Sequence, residues 1–554
     1  MQNVRRQSRD NIGLLLETSW EVCNKIGGIY TVLSTKARVL QEKFGDKLVF
    51  IGPDVWTDNT PSPYFIERKT LLKSCASKLN LPYGITVRAG RWDIPGSPQV
   101  LLIKFDGVYE HLNDIFGKMW ELYGVNSMNA YGDYHEGCAF AVASAIVMNA
   151  LGEHLKVDPK AMTAHFNEWT TAMGLLYLKM IQPSAATLFT THATSIGRSI
   201  CGNGKPLYDY FTGYNGDQMA GELNMEAKHS LEKTAAHQAD CFTAVSELTA
   251  KECEQLLDIR PQVVTPNGFE PDFVPEGNKY SKLRKESRKK ILEIASALKG
   301  KTYDEDTIIV ATSGRNEYRN KGLDLFLDSL VKLQGKAIKK TLALILVPAW
   351  VREPSSELVS AMLNGVEVKD SPDFLTHRLN NEDYDSVTCR LNWLEGNGEL
   401  KNDIEVIYVP CYLDGHDGIV NVGYYDMLPA LDLTVFASYY EPWGYTPLES
   451  IAFGVPTITS DKSGFGQWIL SNFVNSLSAC GVKVVGRSDS NYDSAAEEIA
   501  NQIARYSVET PEEKAEARQK AAATAEKADW KYFISAYDEA FKVAAKRRNE
   551  RLKK

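Results

Sequence analysis

Short apolar runs alternate along the chain with stretches whose apolar residues recur every three or four positions, the pattern of strands joined by crossover helices in parallel sheets. Residues 12–16 (IGLLL), 99–105 (QVLLIKF), 161–165 (AMTAH), 186–191 (ATLFTT) and 241–245 (CFTAV) predict buried strands, and helices are predicted over 30–43, 137–151 and 225–240. The segment Pro266 to Lys279 (PNGFEPDFVPEGNK) then breaks the pattern and reads as a domain hinge, since few apolar side chains are available there to pack. Alternation resumes beyond it. Residues 307–312 (TIIVAT), 341–347 (TLALILV), 403–409 (DIEVIYV), 432–437 (DLTVFA) and 455–459 (VPTIT) predict a second sheet, into which the polar, irregular segment 350–402 is inserted. Near the C-terminus, Phe533, Ala536, Phe541, Ala544 and Ala545 mark one face of an amphipathic helix with a basic end.

Two α/β units joined by a hinge predict a cleft between them, with ligands bound near the carboxyl ends of the strands. The reading divides the chain into 1–270, 271–528 with an insertion at about 350–402, and a terminal helix over 529–554 packing back on the first domain. A length of 554 residues agrees with more than one core. The net charge of −9, with Lys and Arg dispersed, excludes the basic stripe of a nucleic-acid binder. No run approaches the roughly 18 apolar residues of a membrane span, and the opening MQNVRRQSRD lacks the apolar core of a secretory signal. Nine cysteines without a CxxC pair read as thiols of a reducing compartment. A cytoplasmic enzyme with no membrane association is the expectation.

Four loops that follow predicted strands carry the candidate chemistry. The first, ETSWEVCNKIGGIYTVL, places Gly27 and Gly28 where a strand passes into a helix, with Lys25 beside them; the missing Cβ atoms and the helix amides suit a phosphate, although a double glycine also makes a plain turn. It lacks the full Gly-x-Gly-x-x-Gly fingerprint, which disfavours a nicotinamide enzyme. The second, FTTHATSIGR (189–198), ends a strand on polar residues and offers His192 and Arg198. The third, SGRNEYRNKG (313–322), sets Arg315, Arg319 and Lys321 on one short loop, either a solvated charge run or cations that neutralise a departing diphosphate. The fourth, YYEPWGYTPLE (439–449), places Glu441 in a loop and Glu449 on the following helix, which Tyr445 or Thr446 can cap; the amides of Gly444 to Thr446 suit phosphate or sugar oxygens.

In chain order, EVCNKIGGIYTV, GRW (Gly90–Trp92), AHFNEW (Ala164–Trp169), TTHATSIGR, TAVSELT (Thr243–Thr249), TPNG (Thr265–Gly268), SGRNEYRNKG and SYYEPWGYTPLES, continuing through GVPTITSDKSGFG (Gly454–Gly466), resemble the eukaryotic-type glycogen synthases of glycosyltransferase family 3 over nearly the whole chain. The resemblance implies a GT-B fold, two Rossmann-like domains facing each other across a deep cleft with a helical insertion in the second. It also implies a retaining transfer of glucose from UDP-glucose to the non-reducing end of an α-1,4-glucan, with no metal or other cofactor, in a homo-oligomer. By the same resemblance His192, Arg315, Lys321 and Glu441 are catalytic. Lys25, Gly27, Gly28, Arg198, Asn267, Tyr424, Trp443, Gly444, Tyr445, Thr446 and Glu449 bind the donor, with Tyr424 stacking on the base and Glu449 holding the ribose or supporting the site. An ADP-glucose donor, a small-sugar acceptor, or a silent glycan- or nucleotide-sugar-binding protein are the alternatives. Two departures stand out. Asn167 occupies a position where animal and fungal members usually have histidine, and EEKAEARQKAAATAEKADW (512–530) keeps only Arg518 and scattered lysines where those enzymes have an arginine-dense helix for glucose 6-phosphate. Insensitivity to that sugar phosphate is therefore expected.

Overall fold

The computed structural model describes residues 12–56, 60–336, 339–364, 373–400 and 404–553. The opening MQNVRRQSRD, parts of the expected insertion (365–372 and 401–402) and the first residue of the expected strand 403–409 lie outside them. The chain forms two compact units, one built from residues up to Phe269 together with Ala528 onward, the other from Glu270–Lys527.

Among the described residues the first unit holds nine strands: β1 (Leu14–Thr18), β2 (Leu48–Pro53), β3 (Phe65–Glu67), β4 (Thr86–Trp92), β5 (Gln99–Lys104), β6 (Met162–Asn167), β7 (Ala186–Thr191), β8 (Cys241–Ala244) and β9 (Val263–Val264). They lie in the order β3-β4-β5-β2-β1-β6-β7-β8-β9. All neighbours run parallel except β3 with β4 and β4 with β5. Strand order reverses at β1, which pairs with β2 on one side and β6 on the other, so the loops after β1 and β6 open at the switch point of the sheet.

β2 was not anticipated. Its run LVFIGP is fully buried beside β1 but is cut short by Gly52 and Pro53, so periodicity alone does not separate it from the preceding helix. β4 includes the GRW motif and alternates Arg88 and Arg91 with buried residues, the pattern of a strand near a sheet edge rather than of a catalytic loop.

Helix Tyr134–Leu155 is long and apolar enough to cross a membrane, with mean hydropathy 1.4, yet 72% of its apolar window is buried inside the protein. It is apolar all round because the unit-1 core, including helix Trp169–Ile181, encloses it. The terminal helix, Trp530–Arg551, is capped by the Asp529 side chain and lies on helix Gly28–Phe44. The Trp530 indole donates to Thr35 Oγ1 at 2.8 Å, and Phe541 meets Phe44 edge-on at 5.9 Å. At its far end Arg551 grips Asp240 with two bonds of 2.9 and 3.0 Å, a bidentate geometry that fixes the helix in register.

The second unit carries β10 (Ile308–Ser313), β11 (Thr341–Leu346), β12 (Val351–Pro354), β13 (His377–Leu379), β14 (Ile404–Val409), β15 (Leu433–Phe436), β16 (Thr457–Ser460) and β17 (Val482–Val485). Six of these form a parallel sheet in the order β14-β11-β10-β15-β16-β17, which reverses direction between β10 and β15. The expected insertion contains the antiparallel pair β12–β13 besides helices Ser356–Asn364 and Ser386–Gly396.

Candidate active site

In the second unit the loops after β10 and β15 meet at the switch point, and backbone bonds hold them together. The amides of Tyr439 and Tyr440 both donate to the Asn320 carbonyl, at 2.9 and 3.1 Å. Gly322 (φ +72°) joins them more closely still, since a Cβ there would stand 2.0 Å from the Ala437 carbonyl oxygen. A third loop, within the GVPTITSDKSGFG segment, pins the other side: Glu441 N–H donates to Lys462 O, Gly464 N–H to Glu441 O and Phe465 N–H to Trp443 O, at 3.2, 3.1 and 2.8 Å. Glu441 therefore rests on a backbone fixed from two directions. Its carboxylate pairs with the Lys321 ammonium. Arg315 stands at the rim, more than half exposed, 3.0 Å from Glu317.

Arg319, the third cation of that loop, is used differently. It stacks on Tyr439 at 4.5 Å and pairs with Asp489 at 3.3 Å, so it braces the loop rather than standing with Arg315 and Lys321. Helix Tyr445–Ala452 starts from Gly444 in the left-handed region (φ +110°), with no side-chain cap from Tyr445 or Thr446, which corrects the expected capping. Trp443 and Gly444 are buried, while Tyr445 and Thr446 in the helix's first turn are half-buried. Glu449 lies on the same helix, 7% exposed, accepting from Tyr425 O–H at 2.8 Å. Tyr424 is hydrogen-bonded to Ser313 at 2.9 Å, tying its ring to the end of β10.

In the first unit, His192 follows β7 and is 8% exposed. Its N–H donates to Glu168 Oε2 at 3.0 Å, and its ring Nε2 lies 3.2 Å from Asn167 Oδ1. Burial, with Lys36 and His165 nearby, pushes the ring's pKa down to about 3, so His192 is neutral at physiological pH. Arg198 sits on helix Ser195–Gly202 and is half-buried.

The amides at Gly27 and Tyr30 do not stand open for a phosphate as the sequence suggested. Glu21 Oε2 accepts from both, at 2.7 and 2.8 Å, and caps the helix itself. Gly28 and Lys25 are exposed, the Lys25 ammonium 5.7 Å over the Tyr30 ring. Asn267 follows β9, 3% exposed, and its Oδ1 is buried without a hydrogen-bond partner among the described residues. An amide oxygen in that condition suits a ligand donor.

Sequence reading missed the carboxylates around His192. Glu168, half-buried and in the left-handed region at φ +71°, and the buried Glu232 lie in one cluster. Glu232 Oε2 accepts from Ser195 N–H and O–H at 2.8 and 2.7 Å, and Glu252 Oε1 accepts from Thr194 O–H at 2.5 Å, so three acids hold the turn that carries His192. Burial and the neighbouring Glu232 push Glu168 up to about 8, and burial pushes Glu232 up to about 7. A carboxyl raised in the folded state contributes stability that is complete below its ordinary pKa and is lost as pH rises through the folded value. For Glu168 that window runs from about 4.3 to about 8. Glu168→Gln keeps an acceptor for the His192 amide and is expected to flatten the decline by about 1 kcal/mol per pH unit between pH 5 and 7, measured as urea unfolding of both proteins. Parallel profiles would remove Glu168 as the titrating group.

His377, Cys411 and Asp417 approach one another closely enough to hold a metal ion. The His377 nitrogens and the Asp417 carboxylate are already engaged. His377 Nε2 faces the Asp417 carbonyl at 2.9 Å, its Nδ1 faces Thr376 O–H at 2.9 Å, and the Asp417 carboxylate accepts from the amides of Ile419, Val420 and Asn421. A nitrogen bonded to a carbonyl carries its proton and offers a metal nothing. The cluster is a brace for the turn at 417–421.

The family model for glycogen synthase matches residues 17–357 and 353–551. The chain is 27% identical, over 96% of its length, to a glycogen [starch] synthase of Neurospora crassa, 84% of which is covered. It is 27% identical, over 95% of its length, to the human liver glycogen [starch] synthase, 82% of which is covered. Among solved structures, the catalytic domain of starch synthase IV from Arabidopsis thaliana, bound to ADP and acarbose, matches with TM-score 0.57 and 14% identity over 97% of this chain and all of that one. An α,α-trehalose 6-phosphate synthase from Burkholderia multivorans matches with TM-score 0.53 and 11% identity over 96% of this chain and 99% of that one. These two likenesses establish the GT-B fold. With the family's own model spanning most of its length, the chain belongs to the glycogen synthase family.

Proposed function

We propose that this glycosyltransferase moves glucose from UDP-glucose to the non-reducing end of an α-1,4-glucan, with retention, and needs no metal or other cofactor. The observation that carries the reading is the Lys321–Glu441 pair, set on two loops fixed to each other at the switch point of the second unit. Lys321 and Arg315 neutralise the diphosphate as the glycosidic bond breaks, and a cation already held in place does so without reorganising at the moment of reaction. Arg198 adds to that charge. Glu441 holds the donor sugar, and the amides from Trp443 to Thr446 meet its oxygens. Tyr424 stacks on the base, with Glu449 supporting the ribose side. Lys25, Gly27, Gly28 and Asn267 complete the donor's surroundings, Asn267 through its unpaired oxygen. Neutral His192 contacts the glucose 6-hydroxyl. No protein nucleophile is required, because the departing phosphate takes the proton of the attacking 4-hydroxyl on the face it leaves. The enzyme acts in the cytoplasm as a homo-oligomer.

Insensitivity to glucose 6-phosphate is part of the same reading. Arg518, the one arginine of helix Pro511–Ala525, already donates to the carbonyls of Leu431 and Pro429 and to Tyr280 O–H, at 2.8, 3.2 and 2.7 Å. The test is transfer from labelled UDP-glucose and, separately, ADP-glucose to a glycogen primer, with and without glucose 6-phosphate. Chain extension from UDP-glucose, changed less than twofold by the sugar phosphate, is expected. Transfer from neither donor sinks the function. A small disaccharide product sinks the acceptor assignment, and strong activation sinks the reading of Arg518.

A further inference from the structure

A row of buried polar groups runs behind His192, and its donors and acceptors admit only one assignment. It starts at Lys36, fully buried on helix Gly28–Phe44, whose ammonium lies 2.5 Å from Glu17 Oε1 and 4.1 Å over the ring of Tyr537 on the terminal helix. His165 Nδ1 approaches the same Glu17 oxygen at 3.1 Å. Burial alone would push the Glu17 carboxyl up, but Lys36 and His165 together hold it far below the usual carboxylate range, so Glu17 is ionised and only accepts.

Asn167, at the end of β6, comes next. One end of its amide faces Glu17 Oε1 at 3.4 Å and the Thr18 carbonyl at 3.2 Å. Both neighbours are acceptors, so this end is the NH2 group; turning the amide over would set its oxygen against a carboxylate and a carbonyl. The amide oxygen is thereby fixed toward His192 Nε2, 3.2 Å away. An amide oxygen cannot donate, so Nε2 carries the ring proton and Nδ1 keeps its lone pair.

We propose that Asn167 is a positioning residue that holds His192 as the neutral Nε2–H tautomer, so that Nδ1 is presented as a hydrogen-bond acceptor to a hydroxyl of the transferred sugar. The direction of the sugar's hydrogen bond follows from it: the hydroxyl donates to the histidine. The assignment of the acceptor role rests on the reading of His192 as a sugar contact; the tautomer itself does not. The groups around the ring are Asn167 and His165 on β6, Glu17 on β1, Lys36 behind Glu17, and Glu168, whose carboxyl oxygen accepts from the His192 backbone N–H. The terminal helix enters through Tyr537, which covers Lys36 and so closes the row from behind.

The test reads the tautomer directly. Protein labelled with [15N]histidine gives one pair of ring nitrogens per histidine in long-range proton–nitrogen spectra, and loss of a pair in His192→Asn assigns it. A protonated Nε2 and an unprotonated Nδ1, unchanged from pH 5 to 8, are expected. A proton on Nδ1, or a ring that titrates in that range, overturns the proposal without need of any Asn167 variant.

Activity then tests the consequence. Asn167→Leu deprives Nε2–H of its acceptor and is expected to release the tautomer and lower kcat on the order of a hundredfold. Asn167→His retains one donor for Glu17 and one acceptor for His192, and is expected to keep the tautomer and to stay within tenfold of wild type. A purely structural role would depress both variants together and leave the His192 signals unmoved, and that result overturns the proposal. Should His192→Asn itself retain full transfer while the wild-type spectra show Nε2–H, the tautomer assignment stands and the reading of His192 as a sugar contact fails.

Discussion

Lys321→Met is expected to lower kcat/KM by about a thousandfold or more while leaving the second unit folded. Two effects act in the same direction. The first is the loss of a fixed positive charge where, under the proposed function, negative charge develops on the departing diphosphate, on the order of a hundred- to a thousandfold for one such group. The second concerns Glu441, whose side chain is only 13% exposed and which loses its counter-ion. A carboxylate left without its counter-ion is no longer held in place, and under the proposed function that disturbs the group meeting the donor sugar. The fold should survive because the loop is held by backbone bonds from Tyr439, Tyr440, Gly464 and Phe465, none of which involves the Lys321 side chain. Glucosyl transfer to glycogen is the first readout, and UDP binding by calorimetry is the second. Turnover within tenfold of wild type would overturn the assignment of Lys321. The pair should also be non-additive: Lys321→Met with Glu441→Gln is expected to be scarcely worse than Lys321→Met alone, because the first change already disables the second residue.

The loops of the second unit were the more legible ones for a local reason. Both loops follow uninterrupted apolar runs, TIIVAT before SGRNEYRNKG and DLTVFA before SYYEPWG, so the end of each strand and the start of each loop are written side by side. Residue type then identifies the chemistry. What the loops do with their residues is decided at long range. Arg319 looks no different from Arg315 within its own segment, and Tyr439 together with Asp489, brought in from beyond β17, diverts it into a brace. The same holds in the first unit. Nothing within AHFNEW marks Glu168 out, and its raised pKa comes from burial beside Glu232, which no local spacing connects to it. Glu21 reads as one more charge before the double glycine until the turn folds it back onto the amides of Gly27 and Tyr30. β2 escaped because its apolar run is cut off after Ile51 by Gly-Pro, and periodicity does not separate so short a run from the preceding helix. Asn167 was singled out only as a departure from relatives. Its partners, Glu17 and His192, become neighbours once β1, β6 and β7 lie side by side.

Lys36→Met is expected to destabilise the first unit by about 3–5 kcal/mol at neutral pH, the usual cost of stranding one member of a buried ion pair. Lys36 and Glu17 are both fully inaccessible, and Tyr537 covers the ammonium from the terminal helix, so water cannot replace the missing charge without opening that contact. The pH dependence follows from the directions of the two shifts. Glu17 is held below its ordinary pKa, so its contribution is present above about 4.3 and is lost as pH falls through the lower folded value. Burial opposes the charge on Lys36, but Glu17 and Tyr537 raise its pKa above the ordinary value, so its contribution is present below about 10.4 and is lost as pH rises through the higher folded value. Both are therefore in force at pH 5.5 and at pH 7.5, and the wild-type pair adds no slope between them. In the variant the balance at Glu17 inverts: burial, the largest influence on it, is no longer opposed by Lys36. The folded state then takes up a proton, on Glu17 or on His165, that the unfolded chain releases more readily. Stability of the variant falls as pH rises, so the deficit should be larger at pH 7.5 than at pH 5.5. Urea unfolding at the two pH values measures this, and a deficit below 1 kcal/mol, or one that grows toward acid, would show that the pair is not the anchor of the row behind His192.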